Sequence, residues 1–171
     1  MIYRTAGQED LQRLVELADQ AKEYFRSSHI DQWQKGEPNE AELAQSVAKE
    51  QIHVLEKDGR ILAMITLHEG DEPSYREIEG SWPNDRPYMA FHRVCVDNSV
   101  KGQNLAARLF SHSEALAQEL GYRDIRIDTH PDNLSMQRAL EKNGFKPCGR
   151  IVLTEGLEKG APRIGYQKEL V

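Results

Sequence analysis

The chain has 171 residues, with 39% apolar and 29% charged side chains, which is long enough and apolar enough for one domain with a substantial core and excludes intrinsic disorder. Its formal net charge of -6, without a long run of Lys or Arg, argues against non-specific nucleic-acid binding and favours a small or cationic partner. No apolar stretch reaches signal or membrane-span length, so a cytoplasmic protein with no membrane partner is expected. From the N-terminus, residues 2–6 predict a short strand, and Thr5 with Gln8 has capping-box spacing. Leu11, Leu14, Val15, Ala18, Ala21 and Phe25 then recur at helical steps. A segment containing Trp33 breaks that period, and Asn39 with Glu42 opens a second helix carrying Leu43 and Val47.

Residues 52–56 and 61–67 are apolar runs joined by a turn holding Asp58-Gly59, the short signal for a β-hairpin. Residues 69–87, rich in Gly, Pro, acids and aromatics, predict a long functional loop. A strand is expected over 88–96, a helix over 105–120 closed by Gly121, a strand over 125–129, a helix over 133–143 closed by Gly144, and strands over 148–153 and 163–170. The expected order β-α-α-β-β-β-α-β-α-β-β describes a mixed-sheet α/β fold in a single domain, 1–171. Cys95 and Cys148 sit in apolar surroundings without CxxC spacing, which predicts reduced core thiols and no disulfide or metal site.

Chemistry concentrates where the 88–96 strand passes through a polar turn into a helix. The first N–H groups of a helix lack internal partners and carry partial positive charge, so such a junction binds phosphate through main-chain donors. Gly102 and Ala106 permit close approach, Asn104 tolerates positive φ, and Lys101 offers a charge. This segment, Val94-Cys95-Val96 followed by Lys101-Gly102-Gln103-Asn104-Leu105-Ala106, resembles the cofactor loop of the GNAT acetyltransferases, Arg/Gln-x-x-Gly-x-Gly/Ala after a strand ending in Val. Lys101 stands at the basic position, Asn104 at the first glycine and Ala106 at the second. A second block, Asp128-Thr129-His130-Pro131-Asp132-Asn133 and then Glu141-Lys142-Asn143-Gly144-Phe145, matches the second cofactor motif of that family. The resemblance covers about residues 88–148.

What the resemblance implies is acetyl-CoA as acetyl donor, no metal, and transfer to a primary amine of a small molecule or a protein. The strand ending at Val96 would part from its neighbour to admit the pantetheine arm, which the backbone of Val94 and Val96 would pair with and Asn133 would contact. An alkylamine with a pKa of about 10.4 must lose a proton before it attacks, and His92 is the candidate base. The Val94 N–H would polarise the carbonyl. The family's usual acid, a Tyr in the last helix, is here Leu140, which would touch the cofactor instead, and Tyr166 is a candidate substitute.

For the acceptor, Trp33, Tyr75, Trp82, Asp128 and His130 are candidate contacts, with Asp71, Glu72, Glu77, Glu79 and Asp85 offering charge to a cationic amine. His92 as a plain hydrogen-bonded strand histidine, Asp128 with His130 as a satisfied polar pair, and the acidic loop as merely solvated stand beside these readings. The alternative function is an acyl-CoA-binding sensor with little turnover, suggested by Leu140 and Asn104. A nucleotide-binding protein is disfavoured, because neither glycine-rich phosphate motif is present. The sequence leaves a homodimer open.

Overall fold

A computed structural model describes residues 1–100 and 102–171. The fold is α/β, with four α-helices and eight strands of one mixed sheet among the described residues. Two compact units make it up, residues 1–67 with 92–112 and residues 68–91 with 113–171.

In the first unit β1 (Ile2–Thr5) pairs antiparallel with β2 (Ile52–Lys57), in the register Ile2↔Glu56 to Thr5↔His53. The predicted hairpin joins β2 to β3 (Arg60–Glu69), whose residues up to Leu67 belong to this unit. Its turn residues Asp58 and Gly59 have φ of 51° and 76°, the paired positive values that let a two-residue turn follow the twist of the strands. The later residues of β5 (Met89–Val96) complete this part of the sheet beside β3. Helix α1 (Leu11–Ser27) buries Leu14, Leu17 and Ala18, and helix α2 (Glu40–Ala48) buries Leu43 and Val47 against Val54 and Met64. Asn39 and Glu42 cap α2 reciprocally, as their spacing predicts: the Glu42 N–H donates to Asn39 Oδ1 at 2.9 Å and the Asn39 N–H to Glu42 Oε1 at 3.2 Å. The spacing of Thr5 and Gln8 does not produce a cap. Thr5 stays in β1, and a short 3-10 turn over Gln8–Asp10 starts instead at Gly7, whose N–H donates to Asp10 Oδ2 at 2.8 Å.

In the second unit the order is β5, β6 (Asp124–Thr129), β8 (Pro162–Glu169), β7 (Lys146–Val152) and β4 (Glu79–Gly80). Met89 and Ala90 of β5 lie parallel to Ile125 and Arg126, and β6, β8, β7 and β4 follow in antiparallel pairs. Helix α3 (Leu105–Glu119) begins in the first unit and ends in the second, and α4 (Leu134–Lys142) lies in the second.

The stretch expected as a long loop holds a 3-10 turn at Pro73–Tyr75 and the two-residue β4. At β4 the backbones of Gly80 and Gly149 touch: a Cβ on Gly80 would lie 2.2 Å from the Cys148 carbonyl oxygen, and one on Gly149 would lie 2.2 Å from that of Glu79. Both thiols are free. Cys95 is buried as expected, and burial pushes its thiol up to about 12, whereas Cys148 on β7 is partly exposed. Among the described residues no helix is long and apolar enough to cross a membrane.

Candidate active site

The first unit holds the strand-to-helix junction. β5 ends at Val96, and Asp97 behind it is fully buried. Its carboxylate accepts from Arg13 Nη2 at 2.6 Å, from Arg60 Nη2 at 2.9 Å, and from the Ser99 amide and hydroxyl at 2.9 and 2.7 Å. Burial alone raises its pKa, but the Ser99 donors and Arg13 outweigh that and hold it at about 2. The Asp97 N–H donates to the Leu62 carbonyl at 2.8 Å. The turn therefore leaves a fixed point.

Two residues of that turn have positive φ, Gly102 at 74° and Asn104 at 55°. The left-handed conformation expected to be open to Asn104 is the one it adopts. A Cβ on Gly102 would meet nothing within 4 Å, so glycine is needed there for its backbone angle and not for want of room. The Asn104 carbonyl accepts the first helical bond, from the Arg108 N–H at 3.1 Å, and Leu105 is buried while Ala106 is half-buried. The Gln103 carbonyl accepts from Arg108 Nε at 3.1 Å. An exposed turn with two left-handed residues opening a 15-residue helix fits a diphosphate held by main-chain donors. Lys101, the basic candidate, lies outside the described residues.

Upstream, Val94 and Val96 are half-buried and Cys95 is buried, the alternation expected of a strand. That alternation does not extend to His92. Arg93 has φ 52° in the middle of β5, so the strand alternation is interrupted between His92 and Val94. Left-handed backbone costs a residue with a side chain about 1–2 kcal/mol. Trp33, a candidate acceptor contact, packs edge-to-face on Phe25 of α1 with ring centres 5.6 Å apart and lies against the core of this unit.

In the second unit the candidates Tyr75 and Asp128 come together. The buried Tyr75 hydroxyl donates to Asp128 Oδ2 at 2.6 Å, and burial first, then the Asp128 charge, raises its pKa far above the ordinary phenol range. Arg163, 2% exposed, stands 3.7 Å from the other Asp128 oxygen and pairs with buried Glu158 at 2.8 Å. His130 Nδ1 accepts the Asp132 N–H at 3.0 Å and its carbonyl accepts from Gln137 Nε2, so Asp128 and His130 serve separate bonds.

Trp82 does not face an empty place for a cation. The buried guanidinium of Arg126 lies 4.2 Å from the ring centres of both Trp82 and Tyr88, and it donates to Gln167 Oε1 and the Asn84 carbonyl at 2.8 and 2.9 Å. Trp82 Nε1 donates to the Tyr75 carbonyl at 2.9 Å. Of the acids in this stretch, Asp71 pairs with Arg76 at 2.6 Å. Asn133 is buried and caps α4, its Oδ1 accepting the Met136 N–H at 3.2 Å. Leu140 is fully buried, and Tyr166 is buried on β8 with its hydroxyl pKa raised by burial and then by Glu141. Asp97, Arg93, Arg126 and Arg163 are the organising residues that sequence reasoning missed, since each acts through partners distant in sequence.

The sequence profile described as the acetyltransferase (GNAT) family matches residues 14–145. No curated protein matches the chain. Among solved structures, a GNAT-family acetyltransferase of Streptococcus agalactiae 2603 is 28% identical with a TM-score of 0.88, covering 99% of this chain and 95% of that one. A GNAT-family acetyltransferase of Listeria monocytogenes 4b F2365 shares the fold at 18% identity and a TM-score of 0.74, covering 99% and 94%. So does yncA of Salmonella typhimurium, solved with its cofactor acetyl-CoA, at 17% identity and a TM-score of 0.69, covering 99% and 94%.

Proposed function

The chain belongs to the acetyltransferase (GNAT) family, and on that premise we propose that it acetylates a primary amine carried by a small molecule or by a protein. Acetyl-CoA supplies the acetyl group as a thioester, which is activated for transfer but needs an unprotonated amine to receive it. The supporting observation is the exposed turn in which Gly102 and Asn104 both have positive φ ahead of α3. The amides of residues 102–106 hold the diphosphate, with Lys101 adding charge. Val94 and Val96 present strand-edge groups to the pantetheine arm.

His92 takes the proton from the incoming amine, and the Val94 N–H donates to the oxygen on which negative charge develops. Tyr166 is the candidate proton donor to the departing thiolate. A phenol carries its proton at neutral pH, and burial moves the Tyr166 pKa further up. A thiol with a pKa of about 8.5 departs as thiolate in any case, so Tyr166 is expected to assist and not to be indispensable. Tyr75 and Asp128 are the proposed acceptor-side pair, the carboxylate offering charge to an ammonium group while the Tyr75 hydroxyl holds it in place.

Calorimetric titration with acetyl-CoA, followed by release of free thiol with an alkylamine, lysine and a peptide with a free N-terminus, tests the reading. Gly102→Val should weaken acetyl-CoA binding by about tenfold, the equivalent of about 1.4 kcal/mol. His92→Ala should leave binding intact and lower turnover by about 100-fold. Absence of acetyl-CoA binding at millimolar concentration would remove the reading, and unchanged turnover in His92→Ala would remove His92 as base.

A further inference from the structure

Arg93 is conformationally out of place in β5, and its side chain shows what keeps it there. A left-handed residue inside a strand persists only where its surroundings determine it more strongly than its own preference. Here the surroundings lie on α2. Arg93 Nη1 donates to Ser46 Oγ at 3.1 Å, and Nη2 stands 3.6 Å from Glu42 Oε2. Ser46 is buried, and the Arg93 side chain is 24% exposed. Glu42 is fixed in turn by its reciprocal bonds with Asn39 at the first turn of the helix. A continuous polar connection thus runs from the capped start of α2 to the kink in β5. On either side of that kink stand His92 and Val94, the residues assigned above to the proton and to the developing charge.

We propose that Arg93 is a positioning residue for acetyl transfer, whose guanidinium, held by Ser46 and Glu42, sets the left-handed kink in β5 and with it the directions of His92 and the Val94 N–H. The inference rests on the roles given to those two residues. Arg93 acts through those two residues and not by contact with a reactant. A fork-shaped guanidinium can engage two acceptors on one helix face at once, which a lysine ammonium on its flexible stem does not reproduce. Strand and helix are therefore coupled by geometry as well as by charge.

Arg93→Gly separates the kink from the tether, because glycine takes positive φ without strain but carries no guanidinium. A second variant, Ser46→Ala with Glu42→Gln, removes the hydroxyl acceptor and the opposing charge and leaves Arg93 in place. With acetyl-CoA and the best of the three amines named above, Arg93→Gly should lose about ten- to a hundredfold in kcat, with KM for acetyl-CoA within about twofold. Added ethylguanidine should restore part of that loss, Arg93→Lys should be impaired, and the double variant should resemble Arg93→Gly. Amide hydrogen exchange over residues 40–48 and 92–96 should be faster in Arg93→Gly than in the parent protein. A wild-type kcat in Arg93→Gly, or a loss that tracks a fallen Tm and is not rescued by ethylguanidine, overturns the proposal. If the parent protein turned over none of the amines, the proposed function would fail separately. The tether would then be decided by exchange, where unchanged protection overturns it and faster exchange upholds it.

Discussion

Asp97 and Arg13, 84 positions apart in the chain, meet at 2.6 Å with the carboxylate wholly withdrawn from solvent. The contact joins α1 to the end of β5, directly before the proposed phosphate turn.

Its first consequence is a dependence of stability on acid. Asp97 is held at about 2 when folded, against about 3.9 when unfolded. A depressed folded pKa stabilises the protein above the unfolded value, and that contribution is lost as pH falls from about 4 towards 2. Thermal unfolding followed across this window should therefore steepen, and Asp97→Asn should flatten the slope. At neutral pH the same substitution should cost about 2–3 kcal/mol, because Arg13 and Arg60 lose their shared anion. An unaltered acid slope would show that other carboxylates govern it.

Asn133 offers a way to separate folding from binding. Asn133→Ala removes the acceptor for the Met136 N–H and should cost about 1 kcal/mol. Asn133→Asp keeps that acceptor and should recover the loss in urea denaturation. If acetyl-CoA affinity follows stability through both substitutions, Asn133 serves only as a helix cap; if affinity drops in both while stability recovers in Asn133→Asp, the amide contacts the cofactor directly.

Gly165 provides a steric probe of the aromatic group around Arg126. A Cβ there would stand 2.7 Å from the Trp82 ring. Gly165→Ala should push Trp82 off the guanidinium, at a cost of about 1–3 kcal/mol, and shift tryptophan emission to the red. Arg126→Leu should match or exceed that cost, since it also leaves Gln167 and the Asn84 carbonyl without their donor. Unchanged emission in both variants would mean that Trp82 is already solvated.

Local patterns carried far in this chain. The Asp58-Gly59 hairpin, the Asn39–Glu42 cap and the left-handed Asn104 all follow from interactions within a few residues, where periodicity and turn chemistry act. Trp82 was misread for the opposite reason: its cation is Arg126, 44 positions later, and no local pattern pairs them. Glu79–Gly80 is too short a strand to generate alternation, and Arg93 lies in a run of strand-forming residues that gives no hint of a kink. The Thr5–Gln8 spacing failed because Thr5 was already committed to β1, where it pairs with His53. The proposed site was legible at the cofactor turn, which is contiguous, and obscure wherever distant charges converge.

The touching backbones of Gly80 and Gly149 bear on how this protein can diverge. A Cβ on either glycine would run first into the backbone carbonyl of the residue before the other, Cys148 or Glu79, so a methyl group gained at one position cannot be offset by trimming a side chain. Accommodation demands that a strand shift as a body. The pair is thus a shared constraint on mutation, and a lineage that loses either glycine should carry a rebuilt β4–β7 edge.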